Sequence, residues 1–339
     1  NPVTYVIINL GIIGVLWVGG KQVYAGRLTQ GQVVALINYM SQILTELIKL
    51  ANLMILLSRT AASLNRVESI FQIEGSIVDG SKDAEVLGAA EVAFDHVSYS
   101  YAGSKRPALE DISFCAMPGD TIGVIGGTGS GKTTLVNLIP RFYEAGAGKI
   151  RIGGQNIRDF RMENLREKIG FVPQKAALFR GTLRDNMRWG KQDATDEEIY
   201  EALKTAQALD FVEQKGEGLD LMIQQNGRNL SGGQKQRLTI ARALVRRPSI
   251  LILDDSASAL DFATDARLRK AIARRTDQMT VFLVSQRVSA VKNADQILVL
   301  DNGRTAGKGT HRELLRNCQI YREICESQMT REEVEADAR

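Results

Sequence analysis

The consecutive residues Gly126-Gly127-Thr128-Gly129-Ser130-Gly131-Lys132-Thr133 follow the spacing G-x-x-x-x-G-K-T. Glycines at these positions let successive backbone N–H groups turn toward one point, while a lysine and a hydroxyl add a charge and a metal ligand. That is the chemistry of holding a polyphosphate. In such a loop Lys132 reaches the β- and γ-phosphates of ATP or GTP, and the Thr133 hydroxyl is a ligand of Mg²⁺. A glycine-rich turn with a chance lysine would have the same letters, but the flanks argue against it. Residues 122–125 are an apolar run that reads as a buried strand. An apolar-periodic helix follows through Leu135, Val136, Leu138 and Ile139 and stops at Pro140. The start of that helix lends partial positive charge to phosphate oxygens.

Two further stretches carry chemistry. Residues 250–253 are an apolar strand that delivers Asp254 at its end. Downstream of a phosphate loop, such a carboxylate is expected to be the Mg²⁺ ligand of a Walker B strand; a helix-capping aspartate is the alternative. Leu230-Ser231-Gly232-Gly233-Gln234 opens a helix whose buried face is marked by Leu238, Ala241 and Leu244. Ser231 and Gln234 have the S-x-x-Q spacing of a capping box, so a helix start is predicted here on local grounds. Two exposed glycines in its first turn leave backbone N–H groups bare, a second anion site that a plain cap would not need.

These residues need a scaffold. The runs 250–253, 281–284 and 297–300 alternate with helical segments, the pattern of a parallel sheet with helices on its faces. Residues 92–94 and 97–101 suggest two further strands, and 175–246 reads as a helical subdomain. The soluble part is therefore an α/β P-loop ATPase domain spanning 91–327, followed by a charged tail over 328–339 that is expected to be frayed or solvated.

The 339 residues suit two to three domains, and a net charge of +4 implies no nucleic-acid partner. The three cysteines are Cys115, Cys318 and Cys325, odd in number and without metal-ligand spacing, as in a reducing compartment. Apolar residues concentrate at the start. Residues 1–20 carry no charge and 33–57 carry only Glu46 and Lys49. Each run is long enough to cross a hydrocarbon core of about 30 Å. We read 1–72 as two membrane-spanning helices with a cytoplasmic extension over 58–71, joined by an external polar loop over 21–32. Residues 73–90, acidic and containing glycine, read as a linker. Glu46 and Lys49 could pair on one helix face, lining a transport pathway or closing a helix contact. Basic residues do not set the orientation, but an ATP site after the second helix requires the C-terminal side to be cytosolic. The chain begins at Asn1 without a signal peptide and is expected to be the C-terminal part of a longer protein.

Together these motifs resemble the ABC transporter ATPases. Leu230–Gln234 matches their signature sequence, Leu253-Asp254-Asp255 their Walker B, and Ser258-Ala259-Leu260-Asp261 their D-loop. Phe171-Val172-Pro173-Gln174 resembles the Q-loop, which makes Gln174 a sensor of Mg²⁺ and nucleotide. Tyr101 resembles the aromatic residue that stacks on adenine. The two membrane helices look like the last two of an exporter-type half-transporter, multi-pass in the cell membrane and in contact with lipid. The resemblance implies head-to-tail pairing with a second half-transporter. Residues 126–134, with Thr134 closing the loop, would hold one ATP, while Ser231, Gly232, Gly233, Gln234 and Asp261 would serve the partner's site. The exported substrate is not legible.

Two positions depart from the family. Asp255 stands where its catalytic glutamate is expected, and Gln286, in Val284-Ser285-Gln286-Arg287, where its switch histidine is expected. Asp255 withdraws its carboxylate by roughly 1 Å, and such a misplacement can cost on the order of 10²-fold in rate. Gln286 hydrogen-bonds but carries no imidazolium charge. The pairing resembles the degenerate-site chain of heterodimeric multidrug-type exporters. A homodimer hydrolysing slowly at two identical sites, and a regulatory ATPase without transport, are the alternatives. Residues 223–227 also lack an acidic residue usual in such transporters.

Overall fold

The computed structural model describes residues 2–72, 75, 77–83, 89–256, 259–274 and 279–338. Ser258 and parts of the expected linker (73, 74, 76 and 84–88) lie outside the described residues. The chain divides into two compact units, Asn1–Ser76 and Ile77–Arg339.

The first unit is a helical hairpin of α1 (Pro2–Tyr24) and α2 (Gln30–Phe71). The connection is shorter than the polar composition of 21–32 suggests, because Lys21 and Gln22 accept backbone bonds from Ala25 and Arg27 and extend the first helix. Thr29 caps α2, with Gln32 completing a capping box. A Cβ on Gly19 would lie 2.8 Å from Val33 Cγ1, so glycine is what allows the helices to approach here. Both helices are long and apolar enough to cross a membrane, and residues such as Ile7, Trp17, Tyr39 and Leu56 are exposed. With 42 residues, α2 is about 63 Å long, roughly twice a hydrocarbon core. Lys49 Nζ and Glu46 Oε1 pair at 2.8 Å.

The second unit holds the strands β1 (Val92–Tyr99), β2 (Leu109–Ala116), β3 (Thr121–Gly126), β4 (Ala147–Ile152), β5 (Gln155–Asn156) and β6 (Ile169–Val172). They are followed by β7 (Gly181–Thr182), β8 (Met222–Ile223), β9 (Ile250–Asp254), β10 (Thr280–Val284), β11 (Gln296–Asp301) and β12 (Arg304–Gly309). One sheet is antiparallel, in the order β2-β1-β4-β5; the main sheet has the order β12-β11-β3-β10-β9-β6 and is parallel except for β12. The two strands expected at 92–94 and 97–101 form one strand, β1, which ends at Tyr99. An irregularity at 95–98, where His96 has φ 48°, interrupts the alternation without ending β1.

The helices complete three layers. In chain order they are α3 (Lys132–Leu138), α4 (Met162–Glu167), α5 (Leu183–Arg188), α6 (Asp196–Thr205), α7 (Leu209–Gln214) and α8 (Gly232–Val245). Then come α9 (Phe262–Ala273), α10 (Val288–Val291), α11 (His311–Asn317), α12 (Gln319–Glu326) and α13 (Arg331–Ala338). One face of the parallel sheet (Ile122, Val124, Ile252, Phe282) packs with Leu135 and Leu138 of α3 and with Phe94 and Phe114 of the antiparallel sheet. The other face, through Ile125, Ile297 and Val299, packs on α10 to α13. Helices α5 to α8 form the expected helical block, whose core reaches Leu251 and Val281.

Two expectations are corrected. The tail is docked: Val334 of α13 is buried and Asp337 Oδ2 lies 3.2 Å from His311 Nε2. Residues 77–83, expected as linker, run alongside Asp159 and Phe160. Gly80 N–H donates to the Phe160 carbonyl at 3.2 Å and Lys82 N–H to that of Asp159 at 2.9 Å. Gly80 has no room for a side chain, since a Cβ would meet the Asp159 carbonyl oxygen at 2.2 Å.

Candidate nucleotide site

The parallel strands end at one level. Val284 pairs in register with Val124 on one side and Asp254 on the other, so β3, β10 and β9 present their C-terminal ends together. The chain beyond each strand delivers a functional segment: the glycine loop from β3, Asp254-Asp255 from β9 and Gln286 from β10. Gln174 follows the neighbouring β6. A cleft of about 770 Å³ opens there, lined among others by Tyr101, Lys132, Thr133, Asp254, Asp255 and Gln286. Ligands of open α/β sheets bind at this edge.

The loop is built around its lysine. Lys132 Nζ donates to the carbonyls of Gly126 at 2.9 Å and Gly127 at 2.7 Å. Burial lowers its pKa, an effect opposed by the charges of Asp255 and Asp254. Gly131 has φ 101° and serves as the N-cap of α3 without any side-chain cap, so the first N–H groups of the helix are left for another acceptor. A Cβ on Gly131 would also lie 2.8 Å from Leu109 Cδ2. Thr128, Gly129, Thr133 and Thr134 line the cleft, whereas Ser130 is buried and its hydroxyl has no hydrogen-bond partner among the described residues.

Thr133 Oγ1 donates to Asp254 Oδ1 at 3.1 Å. Burial raises the Asp254 pKa, partly offset by that hydrogen bond. Gln174 Nε2 donates to Asp255 Oδ2 at 3.1 Å, and Asp255 has φ 45°, a left-handed conformation that aspartate tolerates better than most residues. The donors that converge, Thr133, Asp254 and Gln174, are oxygen-bearing and hard. No group of three or more His, Cys, Asp or Glu able to hold a metal occurs among the described residues. This set fits Mg²⁺, which takes few protein ligands and draws the rest from phosphate and water.

Tyr101 is 39% exposed, meets Tyr99 and Tyr143 edge-on and is held by a 2.9 Å hydrogen bond between its hydroxyl and that of Thr134. The cleft thus offers an aromatic ring together with the lysine and the carboxylates. Arg106, Glu110 and Asn302 also line it. Sequence reasoning missed them because they come from loops and strand ends with no local motif.

The Ser231 segment does not line this cleft. Ser231 caps α8, accepting from Gln234 N–H at 3.3 Å, while Gln234 Oε1 accepts from Ser231 N–H at 3.0 Å. Ser231 and Gly232 are exposed. Gly233 is half-buried rather than exposed, and a Cβ there would lie 3.1 Å from the Ala259 carbonyl oxygen. Asp261 caps α9 through Thr264 N–H at 2.9 Å.

The model of the ABC transporter family matches residues 109–258, which include the glycine loop, the Ser231 segment and Asp254. The chain carries the ATPase domain of the ABC transporter family. It is 42% identical, over 98% of its length, to an uncharacterized ABC transporter ATP-binding protein, YfiB, of Bacillus subtilis, and covers 57% of that protein. It is 36% identical to the ATP-dependent lipid A-core flippase of Haemophilus influenzae, covering 97% of this chain and 56% of the flippase. Its fold is that of a bacterial Atm1-family ABC exporter solved with ATP bound, with a TM-score of 0.82, 31% identity, and coverage of 96% of this chain and 58% of the exporter. The chain thus spans a little over half the length of these ABC relatives.

Proposed function

We propose that this chain is part of one half of an ABC exporter. It binds ATP with Mg²⁺ in the cleft at Lys132 and pairs head to tail with a second half-transporter. Tyr101 faces the adenine. Lys132 and the N–H groups of the glycine loop hold the phosphates, and Thr133, Gln174 and Asp254 hold Mg²⁺, which neutralises charge on the phosphates. Ser231, Gly232 and Gly233 complete the site of the partner, helped by Asp261. Closure of the two ATPase domains on nucleotide moves the membrane helices and drives an exported substrate across the lipid bilayer, with the ATPase domain in the cytoplasm.

The observation that carries the finer reading is the pair Asp255 and Gln286 in one cleft with intact binding groups. Hydrolysis needs a base that takes a proton from the attacking water and a group that stabilises the γ-phosphate charge. Both groups are altered here, while Lys132, Thr133 and Asp254 are retained. The reading is therefore a heterodimer whose turnover occurs mainly at the partner's site. The test is Mg²⁺-ATP turnover by the chain alone and with a co-expressed second half-transporter. Nucleotide binding with little turnover alone, and turnover with the partner, are expected. The double substitution Asp255→Glu with Gln286→His should raise turnover at this site on the order of 10²-fold. Brisk turnover by the unaltered chain as a homodimer would overturn the degenerate reading and leave two identical slow sites.

A further inference from the structure

Gln286 reaches the cleft on a short loop between β10 and α10, and the backbone of that loop is held partly from outside. Ser285 N–H donates to the Val124 carbonyl at 3.1 Å, and Arg287 N–H to Ser285 Oγ at 3.0 Å. Ala290 N–H donates to the Arg287 carbonyl at 3.1 Å, and two further contacts come from a residue 42 positions beyond Gln286. Gln328 Nε2 donates to the Gln286 carbonyl at 2.8 Å, and Gln328 Oε1 accepts from Val288 N–H at 2.9 Å. A carbonyl can only accept and an N–H can only donate, so these partners fix which way the carboxamide points. Val288 N–H is also a first-turn group of α10, which has no side-chain cap of its own.

The segment bearing Gln328 is itself anchored. Gln328 N–H and Met329 N–H donate to the Cys325 carbonyl at 3.0 and 2.8 Å. Thr330 opens α13 with its N–H bound to Glu333 Oε2 at 2.9 Å, and Val334 is buried in the core that contains Ile125 of the phosphate-loop strand. The fork is thus pinned to the same core as the loop it grips.

We infer that Gln328 is a positioning residue for the nucleotide site: from the C-terminal segment it brackets the Gln286 loop and sets where the Gln286 carboxamide stands over the terminal phosphate. The inference rests on the nucleotide reading of the cleft. Among the described residues the Gln286 carbonyl and the Val288 N–H make no other hydrogen bond, so loss of the fork frees the loop at both. ADP, lacking the γ-phosphate, is held by the glycine loop and Tyr101 and does not depend on this bracket.

The experiment compares equilibrium binding of ATP and ADP by the purified chain, unaltered and carrying Gln328→Glu or Gln328→Met. The ionised carboxylate of the first variant keeps an acceptor for Val288 but loses the donor to Gln286; the thioether of the second keeps the volume and loses both. Each variant should weaken ATP binding on the order of 10-fold, the worth of one to two hydrogen bonds, with ADP binding unchanged. Unaltered chain that binds neither nucleotide would refute the nucleotide reading itself. Unaltered chain that prefers ATP, with variants that prefer it equally, would overturn this inference alone. So would unaltered chain that binds ATP and ADP equally, or variants that lose both ligands together.

Discussion

Helices α3 and α8 both begin with glycine-bearing turns, yet their first N–H groups have opposite fates. At α3 the N-cap is Gly131, with φ 101° and no side chain to offer. At α8 the N-cap is Ser231, whose capping box with Gln234 satisfies one donor in each direction. A helix start with no internal acceptor is poised for a ligand, and here a buried lysine and two carboxylates stand beside it. A capped start is stable without one. On the proposed reading, the contrast separates a site that this chain builds from a surface that would complete the site of a second half-transporter.

The strongest way to break that comparison is Lys132→Ala. ATP affinity should fall about 100-fold or more, because a charge-assisted contact is removed and the Gly126 and Gly127 carbonyls lose the lysine as a donor. Calorimetric titration with ATP checks it, and undiminished affinity would end the case for α3 as the phosphate site.

Asp254→Asn should weaken Mg²⁺-ATP binding about 10-fold while making the free protein more stable. The sign follows from burial. The folded state holds the Asp254 pKa above its ordinary value, so ionisation costs stability as pH rises through that raised pKa. The amide escapes that cost, and melting temperature at neutral pH should rise by about 2–4 °C. In the unaltered chain, Mg²⁺-ATP binding should weaken as pH falls toward the raised value. A variant that melts lower, or binds equally well, would contradict this account of the carboxylate.

Ser231→Ala tests the other helix. It should cost about 1 kcal/mol of stability through the lost cap, visible in a urea melt, and leave ATP affinity of the chain alone unchanged. With a second half-transporter, turnover should fall. If ATP affinity of the single chain drops instead, the two helices serve one site and the distinction collapses. The mildest change is Tyr101→Phe, which keeps the ring and loses the hydroxyl contact with Thr134. Affinity should change less than about 3-fold, against about 10-fold for Tyr101→Ala, since stacking rather than hydrogen bonding carries the base.

The loop at 126–133, Asp254 and the start of α8 were legible because each couples a fixed spacing to a local conformation: a phosphate loop, a strand end, a capping box. The order of the parallel strands was legible only as alternation, since nothing in residues 281–284 says that they lie between β3 and β9. Gln174 meeting Asp255, and Gln328 meeting Gln286, join residues 81 and 42 positions apart and leave no periodic trace. The docking of α13 was hidden for another reason. One buried residue, Val334, is enough to seat a short helix whose other residues are mostly charged, and a charge-rich tail reads as solvated. The strap at 77–83 was obscured similarly, because its glycine and aspartates are typical of turns.

That strap has a mechanical consequence. Arg141, 1% exposed and three residues beyond α3, donates from Nη2 to the Val78 carbonyl at 2.9 Å and pairs with Glu144, while its Nη1 reaches the carbonyls of Ile157 and Arg158 at 3.3 Å. Lys82 pairs with Phe160 in parallel, and Arg161 N–H donates back to the Lys82 carbonyl at 2.8 Å. A pull on the chain along the axis of this segment loads those bonds in shear, together, rather than one after another as in a zipper. The load would be borne just beyond the C-terminal end of α3, the helix whose first residues line the nucleotide cleft.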